Sequence, residues 1–397
     1  MCKVLVSRQA ILNVPNLRFP EFSGEWEKRK LASIGKFFSG GTPTSSNKDY
    51  YDGEIPFIRS GEIHSDHTEL SISAIGYENS SAKMVSKGDL LLALYGATSG
   101  DIAISRMSGA INQAILCIRT TQDHLFLKSV WEKHVKNILN TYLQGGQGNL
   151  SADIVKNLFF YFPRIEEQRK IGRLIELIDQ RIAIQNRAIE QYESLIKGII
   201  DKWVKVLLSG KTVRFEQLYE RAGEGGTPST SIKEYYDGGE IPFVKIEDLS
   251  SMYLTKNKEY ITTEGLSKSS AWMIPEHSVI FSNGATIGSI SINTYPVTTK
   301  QGILGIVPLK GVQTEYLYYL MQSSYFSKEV HRIITEGTMK TAYLKDINSI
   351  ICPIPSPEIQ SRMVSGLLAL SEKVLLEGKI QRYLKDIKST LLNQLFI

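Results

Sequence analysis

The sequence predicts two α/β domains of the α+β type in tandem, each followed by a long helix, with the two helices pairing as an antiparallel coiled coil. The first sign is duplication. Gly40-Gly41-Thr42-Pro43-Thr44-Ser45, Lys48-Asp49-Tyr50-Tyr51-Asp52-Gly53 and Glu54-Ile55-Pro56-Phe57 return as Gly225-Gly226-Thr227-Pro228-Ser229-Thr230, Lys233-Glu234-Tyr235-Tyr236-Asp237-Gly238 and Glu240-Ile241-Pro242-Phe243. The copies lie about 185 residues apart, far beyond the ~20–50-residue period of a solenoid and long enough for a domain plus a connector. The second sign is a sustained heptad seam after the first copy. The third is the alternation of short apolar runs with Gly-rich turns inside each copy.

Residues 1–163 read as the first domain with an N-terminal segment. Ile55-Pro56-Phe57-Ile58 and Asp89-Leu90-Leu91-Leu92-Ala93-Leu94 are strand-like, and a helical stretch runs near Leu125–Leu143. Residues 164–210 read as a long helix. Ile171, Ile175, Ile178, Ile182, Gln185, Ile189, Tyr192, Ile196, Ile199 and Trp203 are spaced alternately four and three apart, which is an a/d seam. No proline lies between Pro163 and Pro228, and a 40-residue helix is roughly 60 Å long. Gln185, the single polar seam position, is suited to setting register.

Residues 211–356 repeat the first domain. Tyr95-Gly96-Ala97-Thr98-Ser99-Gly100 returns as Asn283-Gly284-Ala285-Thr286-Ile287-Gly288, and Asn112-Gln113-Ala114-Ile115 as Lys300-Gln301-Gly302-Ile303. The apolar run Leu158 to Pro163 returns as Ile350 to Pro355. Residues 357–397 repeat the helix. Met363, Leu367, Leu370 and Val374 share one register, whereas Leu376, Ile380, Tyr383 and Ile387 share another, with Gly378 in the shift, predicting a stutter or bend. The residues expected to pair the helices are Ile171, Ile175, Ile178, Ile182, Ile189 and Ile196 on the first and Leu367, Leu370, Val374, Ile380 and Ile387 on the second.

Composition narrows the function classes. The 397 residues carry 46 basic and 41 acidic side chains, a net charge of +5 that is compatible with nucleic-acid binding without requiring it. Cys2, Cys117 and Cys352 are isolated and form no disulfide or zinc pattern. No apolar run suits a secretory signal or reaches the ~20 residues needed to span a bilayer, so a cytoplasmic protein with no membrane partner is expected. A catalytic constellation is also missing. Gly210-Lys211-Thr212 resembles the end of a phosphate loop, but Lys205 occupies the first glycine position and the segment leaves a helix instead of opening one. Gly145-Gly146-Gln147-Gly148 lacks a βαβ frame. Glu62, His64, Asp66 and His67 match no strong zinc spacing and read as a surface loop. Neither Asn-Pro-Pro-Tyr nor Asp-Pro-Pro-Tyr, the amino-methyltransferase signature, occurs. No catalytic residue, cofactor or metal is therefore expected in this chain.

Two divergent α/β domains, each opened by Gly-Gly-Thr-Pro and followed by a long helix, resemble the specificity subunit of type I restriction–modification systems. Pro163 followed by Glu167-Gln168-Arg169-Lys170-Ile171 is similar to that family's helix entry, as is the opening Pro15-Asn16-Leu17-Arg18-Phe19-Pro20-Glu21-Phe22 with Glu25-Trp26. The second exit, Pro357-Glu358-Ile359-Gln360, departs by placing Ile359 where Glu167 stands. The resemblance implies a non-catalytic reader of double-stranded DNA. Each domain would be a target-recognition domain for one half of a bipartite, asymmetric site, and the helices would fix the unread spacer. It also implies two modification subunits that methylate adenine, and restriction subunits in the full complex. Other readings of the same features are the recognition part of a bifunctional methyltransferase–nuclease and a coiled-coil scaffold with two protein-binding heads.

Candidate DNA contacts follow from residue type. Arg59 and Lys245 occupy matching places after Ile-Pro-Phe, as phosphate or guanine contacts or as solvated strand ends. Thr42, Thr227, Thr98 and Thr286 sit in Gly-containing turns that either face phosphate or serve turn geometry. Gln113 and Gln301 match between copies, which suits a structural or phosphate-facing place better than readout of unlike half-sites. Tyr50, Tyr51, Tyr235 and Tyr236 read as packing residues, and Lys83, Lys87, Lys268 and Lys340 as general electrostatic contacts.

Overall fold

The computed structural model describes residues 13–142, 149–284, 286–334 and 341–397. It divides into two units, Met1–Asn186 with Lys379–Ile397, and Arg187–Gly378. Gly145 to Gly148, Ala285 and Lys340 lie outside the described residues.

The first unit is built on a sheet buried on both faces. Strands Gly35–Ser39, Ile115–Thr120, Leu90–Ala93 and Ile102–Ile104 lie in that order, all antiparallel. Alternation along a strand sends successive side chains to opposite faces. Leu90, Leu92, Leu116 and Ile118 enter a core with Trp26, Phe126 and Trp131, while Leu91, Ala93, Ile115 and Cys117 enter a second core with Ile58, Val85 and Ile111. This double burial is why the sequence there is continuously apolar. The second core is closed by a sheet ordered Ser71–Ile72, Tyr51–Ile58, Gly109–Ile111 and Lys83–Val85, whose central pair is parallel. Helix His124–Tyr142 covers the first core, and a ribbon of Glu27–Lys30 with Phe159–Phe162 ends the domain.

The second unit repeats the plan. Tyr219–Glu224, Ile303–Pro308, Val279–Ser282, Ile290–Asn293 and Tyr253–Leu254 form a five-stranded sheet, and Glu259–Ile261, Ile241–Val244 and Thr298–Thr299 a three-stranded one. Val279, Phe281, Leu304 and Ile306 face a core with Tyr316 and Phe326, whereas Ile280 and Ile303 face the other with Val244 and Val297. Cys117 and Cys352 lie in strands, where burial pushes each thiol up to about 12, so neither forms a thiolate near neutrality.

The paired glycines are required by close approach, not by turn conformation. None of Gly40, Gly41, Gly225 and Gly226 has a left-handed φ. A Cβ on Gly40 would lie 1.8 Å from the Ile111 carbonyl oxygen and one on Gly225 2.1 Å from that of Thr299. Gly41 and Gly226 are likewise pressed on Ser81 and Ala271.

The long helices run Ile165–Leu207 and Pro357–Leu395. Both begin with the same buried amide. Gln168 Oε1 accepts from Asp123 N at 3.2 Å while Nε2 donates to Pro163 O and Gln122 Oε1, each at 2.8 Å. Gln360 Oε1 accepts from Gln313 N at 2.8 Å while Nε2 donates to Pro355 O and Gly311 O. The departure at Ile359 is explained one residue earlier. Buried Glu167 accepts two 2.8 Å bonds from Arg18, whereas Ile359 faces solvent. All ten seam residues of the first helix are buried or half-buried. In the first unit Leu391 and Leu395 pack with Ile171 and Ile175, and Gln381 donates to Asn186. In the second, Ile196, Ile200 and Val204 pack with Met363 and Leu367. The pairing is antiparallel in each unit.

The second helix corrects the expected register shift. It is continuous through Gly378, and its seam keeps the four–three spacing by way of Glu377, Gln381, Leu384 and Lys388, none of them fully exposed. Leu376, Ile380, Tyr383 and Ile387 are 54%, 44%, 69% and 49% exposed, so Ile380 and Ile387 do not pair the helices.

Replacing Gly40 or Gly225 by alanine is expected to destabilise its domain by about 3 kcal/mol, because backbone blocks the new methyl. Urea unfolding measures the loss. Gln168→Ala and Gln360→Ala are expected to cost about 1–3 kcal/mol each by leaving buried backbone groups unpaired, whereas Ile359→Glu should change stability by less than about 0.5 kcal/mol. Thermal unfolding of the three variants checks that contrast.

Candidate nucleic-acid interface

Four short motifs far apart in the chain meet at one place in each domain. In the first, Gly40 N donates to Asn112 O at 3.3 Å and Asn112 N to Ile58 O at 3.4 Å. Leu94 N donates to Ala114 O at 2.8 Å, and Thr42 Oγ1 to Gln113 Oε1 at 2.6 Å. The Gly-Gly-Thr-Pro loop, the end of Ile-Pro-Phe, the Gly-Ala-Thr turn and the Asn-Gln loop thus form one cluster. The second domain repeats it. Gly226 N donates to Thr299 O at 3.0 Å, Lys300 N to Val244 O at 3.0 Å, Asn283 N to Gly302 O at 3.0 Å and Gln301 N to Thr227 Oγ1 at 3.3 Å. The second tyrosine of each Tyr-Tyr pair anchors the first loop. Tyr51 OH donates to Pro43 O at 2.7 Å and Tyr236 OH to Pro228 O at 2.6 Å.

Within the cluster the matched residues mostly hold each other. Thr42 and Gln113 are exposed yet bonded together, and Thr227 holds the backbone of Gln301. Thr98 ends the Gly96–Thr98 turn and is half-buried, its carbonyl accepting from Asp101 N at 2.9 Å, and Thr286 is exposed. Arg59 and Lys245 are held by carboxylates. Arg59 donates to Glu62 at 3.1 Å and to Glu69 at 2.5 Å, and its backbone N donates to Glu62 at 3.0 Å. These bonds raise the guanidinium pKa. Burial alone would raise the Glu62 pKa, but the hydrogen bonds from Arg59 and from Glu69 N hold it below the usual carboxylate range. Lys245 N donates to Asp248 at 3.0 Å and its ammonium pairs with Glu259.

The first-domain loop residues divide into separate pairs, with His64 Nε2 2.9 Å from Asp101 Oδ2 and His67 Nδ1 3.0 Å from Asp66 Oδ1. Among the described residues, no three His, Cys, Asp or Glu side chains gather as a metal site. No described helix is long and apolar enough to cross a membrane. Lys83, Lys87 and Lys268 are exposed, with Lys83 paired in register to Ile111 beside the cluster. Residue-type reasoning passed over Lys300. It is exposed, pairs with no described acidic residue, and replaces Asn112 of the first copy. That replacement beside a repeated glutamine was its signal.

Comparison with known proteins gives the same duplicated plan. The family model described as the type I restriction modification DNA specificity domain matches residues 23–194 and again 211–386. The type I restriction enzyme MjaIX specificity subunit of Methanocaldococcus jannaschii is 31% identical over 187 residues, 46% of this chain and 43% of that protein. The match thus spans less than half the length of that relative. A putative type I restriction enzyme MjaX specificity subunit of the same organism is 20% identical over 424 residues, covering 96% and 95% of the two chains. The crystal structure of a type I restriction–modification S subunit from M. genitalium has a like fold, with a TM-score of 0.61 at 16% identity, covering 97% of this chain and 99% of that one. With both halves matched and the two domains built alike, the chain belongs to the type I restriction modification DNA specificity domain family.

Proposed function

We propose that this chain is the non-catalytic DNA-specificity subunit of a type I restriction–modification complex in the cytoplasm. Each domain reads one half of a bipartite, asymmetric site in double-stranded DNA through its four-loop cluster. The long helices set the unread spacer and dock two modification subunits, which methylate adenine. Restriction subunits complete the assembly.

The observation that carries this reading is that one loop scaffold is built twice with unlike surfaces. Thr, Gln and Gly are shared and interlocked, whereas exposed Tyr95 has buried Asn283 as its counterpart and exposed Lys300 has half-buried Asn112. Shared parts suit positioning on the backbone, and divergent parts suit base edges that differ between half-sites. Joining two modest contacts in one chain makes the second intramolecular and raises overall affinity without new contacts. Docking of partner subunits on the helices is supported by exposed apolar side chains: Leu177, Ile184, Ile380, Tyr383 and Ile387 in the first unit, and Leu195, Leu375 and Leu376 in the second.

Co-expression with the cognate modification subunits, followed by genome-wide mapping of methylated adenine, is expected to return two unlike half-sites at one fixed separation. Methylation at a single ungapped motif, or at none, would count against the reading. In the assembled complex, Lys300→Ala is expected to weaken binding and flatten the plot of log affinity against log salt by about 0.9, the loss of one phosphate contact. Fluorescence anisotropy across a salt series measures that slope.

A further inference from the structure

The long helices dock on the two domains through chemically unlike joints. In the first unit, Lys128 and Glu132 come from helix His124–Tyr142, Asp179 from the first long helix and Lys388 from the second. Lys128 Nζ lies 2.5 Å from Glu132 Oε1 and 3.1 Å from Asp179 Oδ2. Lys388 Nζ lies 2.7 Å from Glu132 Oε2 and 2.6 Å from Asp179 Oδ1. Each lysine bridges both carboxylates, and the ring is neutral. Its side chains are only 19–29% exposed. Burial alone would lower the Lys128 pKa, but Glu132 and Asp179 outweigh it and hold the ammonium above its usual value.

The second unit has no charge at the matching positions. Gln168 and Gln360, which make the same bonds, align the long helices. Buried Phe126-Leu127 and Tyr316-Leu317 align the covering helices. Lys128 then corresponds to Tyr318, Glu132 to Gln322, Asp179 to Ser371 and Lys388 to Ile196. Gln322 Nε2 donates to Tyr318 OH at 2.9 Å, Ser371 Oγ lies 3.1 Å from Tyr319 OH, and Ile196 packs on the core.

We propose that the ionic ring makes the first domain's docking surface selective for the lysine-bearing end of its own chain's second helix, against the first helix of another copy. Duplication creates that competitor, because the two helices carry related seams with matching spacing. If the first helix of a second copy took the place of the second helix, Ile196 would stand where Lys388 stands. Glu132 and Asp179 would then share Lys128 alone, leaving excess negative charge in a poorly hydrated joint. In the converse exchange Lys388 would enter the site of Tyr318, Gln322 and Ser371, none of which is a carboxylate. An ion pair in such a place contributes little to stability but penalises the wrong partner when half of it is missing. This inference does not depend on what the loops bind.

The test uses full-length chains labelled with donor or acceptor dyes, mixed and followed by energy transfer and sedimentation velocity. Replacing the ring by the second unit's residues (Lys128→Tyr, Glu132→Gln, Asp179→Ser, Lys388→Ile) is expected to raise the fraction of mixed oligomers at least about tenfold over wild type, a change of about 1.4 kcal/mol. A folded variant that mixes no more than wild type would overturn the proposal. A fully inverted ring (Lys128→Glu, Glu132→Lys, Asp179→Lys, Lys388→Glu) covers the case in which the first variant does not fold. It is expected to mix as little as wild type, whereas Lys388→Glu alone mixes more. Equal mixing by these two would also overturn the proposal.

Discussion

A buried glutamine amide sets where each long helix leaves its domain. Gln168 ties the first turn of one helix to the preceding strand exit at Pro163 and to the start of helix His124–Tyr142. Gln360 does the same between Pro355 and Gln313. A side-chain amide offers both a donor and an acceptor, so it can satisfy backbone groups of opposite polarity at one junction. The seam side chains meet the domain core only because the helix axis is fixed at that point. Every later contact, from Ile171 in one core to Met363 in the other, inherits its position from this junction.

Burying a sheet on both faces has a second effect. It leaves strand ends and loops as the places where the copies can differ without disturbing packing. The two domains keep the same alternation of core positions and the same loop anchors, including Tyr51 and Tyr236. Among the places that vary are side chains on the shared loops, such as Asn112 against Lys300. A duplicated scaffold with freely varied loops is a physical basis for reading unlike sequences with like domains.

Much of this organisation was legible because repetition supplied an internal comparison. The Gly-Gly-Thr-Pro and Gly-Ala-Thr motifs and the glutamine of the Asn-Gln loop announced their importance by returning, although nothing in their spacing said that they would meet. The first heptad seam was readable because nearly all of its members are apolar. The second was misread for the converse reason: Glu377, Gln381 and Lys388 conceal the real seam, while Leu376, Ile380, Tyr383 and Ile387 imitate one on the exposed side. The ionic ring joins residues from three distant stretches, so no local pattern betrays it. Arg59 was recognisable as a cation, but its neutralisation by Glu69 depends on a loop returning to meet it.

Arg59 and Lys245 each spend their charge on carboxylates of their own domain. A polyanion drifting past would feel little pull from such occupied cations. To engage either one, it must trade places with an existing acid, and the trade is favourable only where the incoming acceptor matches the geometry being given up. Such a swap would reward fit more than mere negative charge.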